Sequence, residues 1–174
     1  YKRQFLALDR NRDVEQRLHE ELDAALPSAP PGLDDLERVP YARMVVEDTM
    51  RLYPTVPQVA RQAISEDHID GVRVPPGSII NMNIWLVHRN PNFWEDPERF
   101  DPGRFDPARA GDQPKFAYFP FGGARICIGN SFAMLEAHLI LATVVRLYRL
   151  RLPEGHAVHP AGNVVLRPCL LYTS

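Results

Sequence analysis

Three segments of the chain carry apolar residues at helical spacing, separated by polar and charged residues. In residues 13–26 the apolar positions recur every three or four residues, which predicts an amphipathic helix with Asp13 as its N-cap. A second helix is predicted over residues 40–53, because proline is compatible with the first helical position and Pro54 prevents continuation. The third helix is predicted over residues 131–150, which are rich in leucine, alanine and methionine.

The rest of the pattern predicts short strands and ordered coil. Residues 64–84 contain short β-prone pieces around the turn signals Asp70-Gly71 and Pro75-Pro76-Gly77, which predicts a small hairpin sheet. A short helix is predicted to follow at residues 84–88, and a weak strand signal lies at residues 158–166. Between residues 91 and 107 the four prolines exclude regular structure, whereas the four aromatic residues indicate that this coil is packed.

Composition narrows the class of protein. The 174 residues are 45% hydrophobic and 24% charged, as in ordinary soluble proteins, and the net charge of −2 gives no electrostatic reason to expect nucleic-acid binding. The two cysteines, Cys127 and Cys169, form no C-x-x-C pair, so a reducing compartment and a cytoplasmic location are expected. The longest apolar run, residues 139–145, is too short to span a bilayer, so no membrane partner is indicated.

The most informative stretch is the run from Phe119 to Gly129. A glycine-rich turn precedes Cys127, with an arginine two residues before the cysteine and a glycine two residues after it. A predicted helix follows at once, with Asn130 or Ser131 as its candidate N-cap. Backbone amides of the turn and the helix N-terminus can point at the sulfur, which favours a thiolate held as a metal ligand. The alternative is a buried cysteine that serves only as a small apolar residue.

This run resembles the haem-binding loop of the cytochrome P-450 monooxygenases, F-x-x-G-x-R-x-C-x-G. Upstream, Asp48–Pro54 is similar to the family's E-x-x-R helix and the R-L-x-P that follows it, and Phe100–Phe105 is similar to F-x-P-E-R-F. Downstream, Phe132–Glu136 resembles the helix that follows the cysteine in the family. The resemblance covers roughly residues 5–168.

The resemblance implies a mainly α fold with small β hairpins, the C-terminal portion of the cytochrome P-450 fold. Its parts would be the K-type helix, the meander at residues 91–107, the haem-binding cysteine loop and the L-type helix. Residues 1–174 would form a single partial domain, a C-terminal fragment without the oxygen-activating A/G-G-x-x-T segment. Residues 1–4 and 169–174 fit neither the family pattern nor a clear period, so we expect non-native, poorly ordered ends.

The resemblance also implies that five residues hold a haem b cofactor: Cys127, Arg125, Arg61, Phe121 and Gly129. The cysteine would be the axial ligand of the iron, the phenylalanine would shield the sulfur from water, and the glycine would let the backbone pass close to the cofactor. The two arginines would bind the haem propionates. The family places seven residue steps between the phenylalanine and the cysteine, and this chain has six, so we expect a turn that is one residue short.

A buried structural cluster of Asp48, Arg51 and Arg104 is implied as well, with aspartate in place of the family's glutamate. Asp48 lies three residues before Arg51 and can pair with it on one helix face, and Glu47 is the alternative partner. His88, in a segment similar to the family's H-R-D-P, is interpreted as a structural hydrogen-bonding residue, because no other histidine has metal-ligand spacing to it.

The implied function is that of a haem-thiolate monooxygenase, which inserts one oxygen atom of O₂ into a small apolar substrate. Its electrons would come from a ferredoxin- or flavin-type reductase, and the fragment alone is expected to be inactive. Two alternatives are a peroxide-using or isomerase-type haem-thiolate enzyme, and a degenerate haem-binding protein.

Overall fold

The structure is a computed structural model that describes residues 2–26, 31–109, 114–123, 125–154, 158, 160–162 and 166–168. Its helices, numbered α1 to α5 in chain order, are Lys2–Arg10, Arg12–Ala25, Pro40–Leu52, Ile84–Val87 and Asn130–Leu147. Two 3-10 helices cover Leu33–Arg38 and Pro102–Phe105. The strands, numbered β1 to β6, are Gln58–Gln62, Asp67–Ile69, Val72–Val74, Ile79–Asn83, Pro160–Gly162 and Leu166–Pro168. The predicted fold class, mainly α with small β hairpins, is confirmed.

The strands form three antiparallel pairs, β1 with β4, β2 with β3, and β5 with β6. The β2–β3 hairpin lies inside the connection between β1 and β4, so one hairpin is nested in another. Asp70 and Gly71 both have positive φ, of 48° and 77°, which is the geometry that an Asp-Gly hairpin turn requires. The predicted turn is therefore confirmed.

The core lies among α2, α3 and α5. Each of these helices contributes fully buried side chains to one continuous apolar cluster, among them Leu18, Leu22, Val45, Val46 and Ala142. At the start of α3, both carboxylate oxygens of Glu21 accept backbone amides, Tyr41 N at 2.8 Å and Ala42 N at 3.0 Å. A residue of α2 thus satisfies amides that α3 cannot bond internally.

Two predicted helix caps are wrong. The N-cap of α2 is Asn11 instead of Asp13, and its side chain is engaged elsewhere, donating to the Ala7 carbonyl of α1 at 2.7 Å. The N-cap of α5 is Gly129, so Asn130 is already helical. The reason is the preceding loop, where the Asn130 amide donates to the Cys127 carbonyl at 3.1 Å and starts the helix early.

The prediction that residues 1–4 are poorly ordered is wrong for residues 2–4, which belong to α1. Arg3 donates to the Tyr53 carbonyl at 2.7 Å and to Thr55 Oγ1 at 3.1 Å, and Gln4 is buried. These contacts tie the beginning of the chain to the end of α3. The other predicted end, residues 169–174, lies outside the described residues.

Within the described ranges, α5 is the one helix whose length and apolar composition would suffice to cross a membrane. A core helix of a soluble fold satisfies the same criteria. Ala137, Leu141, Ala142 and Val145 of α5 are buried in the cluster shared with α2 and α3. One face of α5 is thus buried in this cluster.

Candidate functional site

A fully buried ion pair lies in the last turns of α3. Asp48 and Arg51 have no exposed side-chain surface, and Arg51 Nε donates to Asp48 Oδ1 at 2.5 Å. The guanidinium also donates to three backbone carbonyls of the irregular segment after α4, those of His88 (3.1 Å), Pro97 (2.5 Å) and Arg99 (2.8 Å). A single side chain thus fixes the course of a coil that has no regular backbone ladder of its own.

Asp48 has a second partner in the irregular segment after α4. Its Oδ2 accepts the amide of Asp101 at 2.7 Å, so both carboxylate oxygens are hydrogen-bonded. Arg104 is also buried, but its Nη2 donates to the Asp96 carbonyl at 2.8 Å, and no ion pair with Asp48 is found in the described part of the chain. The alternative partner for Arg51, Glu47, pairs instead with Arg43 at 3.2 Å, at the edge of a cavity between α3 and the cysteine loop.

His88 links this cluster to the cysteine loop. Its side chain is fully buried, with the ring centroid 5.2 Å from that of Tyr118. Nδ1 lies 3.3 Å from the Arg51 carbonyl, and Nε2 lies 3.0 Å from the amide of Phe119. The pKa of His88 is lowered to about 4, mainly by burial and in smaller part by the charges of Arg51 and Arg89, so the ring is neutral near pH 7.

The loop itself is shaped by backbone hydrogen bonds. The Gly122 amide donates to the Phe119 carbonyl at 3.0 Å, and the Cys127 amide donates to the Phe121 carbonyl at 2.9 Å. Gly122 has a φ of +87°, and a Cβ at this position would lie 3.3 Å from the Arg125 carbonyl. The turn before the cysteine therefore forms these hydrogen bonds with only six residue steps between Phe121 and Cys127.

Cys127 lies at an exposed, apolar part of the surface. The neighbouring side chains of Ile126, Ile128 and Phe132 are 61%, 104% and 69% exposed. A Cβ at Gly129 would lie 3.8 Å from Cys127 Sγ, so the chain passes close to the sulfur there. An accessible thiol among apolar side chains fits a large, flat, apolar group with a metal at its centre.

The structure brings four of the five predicted cofactor residues together in the loop. Cys127 and Arg125 are exposed, and Phe121 and Gly129 are half-buried. Phe121 lines a cavity of about 290 Å³ between the loop, α3 and α5. Arg61 lies on β1, exposed, where its guanidinium donates to the Ala60 carbonyl at 2.8 Å.

Sequence reasoning missed Tyr118. Its ring stacks on His88 and packs edge-on against Phe105, and its hydroxyl donates to the Glu47 carbonyl at 3.1 Å. It therefore joins the loop, the meander and α3. The only signal in the sequence is its place just before the glycine-rich turn, which by itself does not distinguish it from any other buried aromatic residue.

Comparison with known proteins places this site in a family. The family model described as "Cytochrome P450" matches residues 3–171. The cyclooctat-9-en-7-ol 5-monooxygenase of Streptomyces melanosporofaciens is 36% identical over 152 residues, covering 87% of this chain and 33% of that protein. Cytochrome P450 3A29 of Sus scrofa is 38% identical over 141 residues, covering 80% and 28%.

The fold agrees with the sequence comparison. The crystal structure of the cytochrome P450DA heme domain superimposes with a TM-score of 0.90 at 28% identity, covering 95% of this chain and 37% of that one. The chain belongs to the cytochrome P-450 family, whose members bind haem through a cysteine thiolate. It spans about a third of the length of the curated relatives that it matches.

Replacing Arg51 with alanine is expected to lower the free energy of unfolding by about 3–5 kcal/mol, because Asp48 would keep a buried charge without its partner. The matched control is Arg43→Ala on the same helix, which removes an arginine that is 65% exposed and should cost no more than about 1 kcal/mol. Urea denaturation measures both values. If both variants lost the same free energy of unfolding, the buried pair would not be the main interaction between α3 and the segment after α4.

Gly122→Ala is expected to destabilise by about 1–2 kcal/mol, because an L-residue at this positive φ is strained and its Cβ would crowd the Arg125 carbonyl. The neighbouring Gly123 provides the control, since a Cβ there meets open space. Thermal or urea unfolding of Gly123→Ala should match the unsubstituted chain within about 0.5 kcal/mol. If both alanines were tolerated equally well, the loop would not have this turn.

The buried His88 should make stability depend on pH. Its folded-state pKa of about 4 lies below the ordinary 6.5, so the unfolded chain binds the proton first and stability is lost as pH falls from 6.5 towards 4. The difference in unfolding free energy between the unsubstituted chain and His88→Gln should shrink by about 3 kcal/mol from pH 7 to pH 4. Replacing the exposed His68 with glutamine is the control for a histidine substitution away from this buried site.

Proposed function

We propose that this chain forms the cysteine-ligand side of the haem site in a haem-thiolate monooxygenase. The observation that carries the proposal is the exposed thiol of Cys127, presented by a hydrogen-bonded loop on an apolar surface at the start of α5. Cys127 would hold the iron of haem b, and the bound haem would supply the O₂-activating chemistry that cysteine ligation promotes.

The other residues of the site have roles that follow from their chemistry. Arg125 and Arg61 are exposed guanidinium groups suited to bidentate contact with the carboxylates of the haem. Ile126, Ile128 and Phe132 would be covered by the apolar ring system, which removes their exposed surface from water. Gly129 keeps the approach to the sulfur free of a side chain.

The reaction proposed for the whole protein is insertion of one oxygen atom of O₂ into a small apolar substrate, with electrons from a ferredoxin- or flavin-type reductase. Support comes from the similarity to a relative named as a monooxygenase. The segment from Thr55 to Ala60, between α3 and the middle of β1, would contribute apolar contacts to the substrate. We propose that the reductase docks near Arg125, on the surface that presents the cysteine loop.

A peroxide-using or isomerase-type enzyme would share the same cysteine loop. Turnover of an apolar substrate with peroxide alone, at a rate equal to that with a reductase and O₂, would favour that reading. The degenerate haem-binding alternative rests on the shortened turn and on aspartate at position 48. The intact hydrogen bonds of both features weigh against it.

The proposal is tested with the protein expressed from its complete open reading frame in haem-replete cells. The reduced protein with CO should show the Soret band of thiolate-ligated haem, and Cys127→Ser should lose that band. Cys169→Ser is the matched control and should retain it. A thiolate-type spectrum that survives in Cys127→Ser, or no haem binding by the unsubstituted protein, would overturn the assignment.

A further inference from the structure

We infer that His88 is a positioning residue that sets the entry of the cysteine loop by accepting the Phe119 amide and anchoring it to the end of α3. The loop needs such an anchor because it is irregular and its first turn begins at the Phe119 carbonyl. The inference rests on the proposed function only in taking Cys127 as the ligand that the loop presents.

The hydrogen bonds determine the state of the ring. The Phe119 amide is a donor, so Nε2 must be unprotonated to accept it at 3.0 Å. The Arg51 carbonyl is an acceptor, so Nδ1 must carry the proton at 3.3 Å. The two contacts are consistent only in the neutral Nδ1–H tautomer.

Both backbone groups lack a regular partner. The Arg51 carbonyl lies in the last turn of α3, where Pro54 ends the helix and leaves terminal carbonyls without intrahelical donors. The Phe119 amide lies in a stretch without regular secondary structure, immediately before Pro120. His88 therefore joins one orphan acceptor to one orphan donor across the boundary between α3 and the loop.

A second contact makes the link between His88 and Arg51 reciprocal. The Arg51 guanidinium donates to the His88 carbonyl at 3.1 Å, while the His88 ring donates to the Arg51 carbonyl. From Phe119 the backbone bonds continue through Gly122, and the Cys127 amide is held by the Phe121 carbonyl. A chain of hydrogen bonds through His88 thus links the position of the Cys127 thiol to the buried pair of Asp48 and Arg51.

The test compares His88→Phe with His88→Gln in the protein expressed from its complete open reading frame, without added haem. Phenylalanine keeps a ring against Tyr118 but removes both hydrogen bonds, whereas glutamine can still donate and accept. Amide exchange of a peptide covering residues 116–123 should be at least tenfold faster in His88→Phe, and glutamine should restore it to within about threefold of the unsubstituted protein.

His138→Phe is the matched control, because His138 is also buried and bonds a backbone carbonyl, that of Val39 at 3.0 Å, at the opposite, N-terminal end of α3. In His138→Phe, the rate of amide exchange in residues 116–123 should not change. The inference is overturned if His88→Phe leaves that exchange unchanged, or if His138→Phe accelerates it equally. These outcomes do not depend on haem binding, so they are distinguishable from a failure of the proposed function.

Should His88→Phe fail to fold, ¹⁵N chemical shifts of the His88 ring in the unsubstituted protein decide the question. A protonated Nδ1 with an unprotonated Nε2 supports the inference, and the opposite tautomer overturns it. In the haem-loaded protein, His88→Phe should also reduce the fraction of thiolate-type CO complex, with His138→Phe as the comparison.

Discussion

The buried pair of Asp48 and Arg51 is the interaction on which the rest of the site depends. Burying two charges is costly, and the cost is offset because both carboxylate oxygens of Asp48 are hydrogen-bonded and the Arg51 guanidinium makes four hydrogen bonds. Asp48 accepts from Arg51 and from the Asp101 amide, and the guanidinium donates to carbonyls of the meander as well. The pair therefore stabilises a coil that has no ladder of its own.

The meander and the cysteine loop are positioned by the same helix end. Arg51 reaches the meander directly through its side chain, and it reaches the loop indirectly through its carbonyl, His88 and Phe119. Tyr118 reinforces the junction with its ring on His88 and its hydroxyl on the Glu47 carbonyl. Two segments without regular structure thus share one rigid reference, and rigid elements hold a functional group more precisely than free loops do.

The elements that could be predicted from sequence are those with a strong local cause. Pro54 ends α3 by removing an amide, and Asp70-Gly71 supplies the positive φ that the hairpin turn needs. The helix caps could not be predicted, because their partners lie on other helices and are set by tertiary contacts. Asn11 donates to the preceding helix, and Glu21 caps α3 from another helix.

In the candidate site, too, local features could be predicted from the sequence and tertiary contacts could not. The spacing around Cys127 predicted a presented thiol, and the i,i+3 spacing predicted that Asp48 and Arg51 could pair. The contacts of Arg104 with the Asp96 carbonyl and of His88 with Phe119 join residues 8 and 31 positions apart through irregular backbone, which no periodic pattern encodes.

In the described part of the chain the loop is anchored from the α3 side, and its other side is left accessible to a cofactor. Its anchoring bonds come from His88 on the α3 side and from its own turn, whereas Cys127, Ile126 and Ile128 are exposed. Exposed apolar side chains of this kind carry an unfavourable hydration free energy, which burial beneath a flat apolar group would relieve. Because the Phe119, Gly122 and Cys127 amides donate to acceptors within the protein, such a group could bind without disrupting the bonds that place the thiol. The aspartate at position 48 and the shortened turn preserve this arrangement, since neither removes a hydrogen bond from the path between α3 and the cysteine.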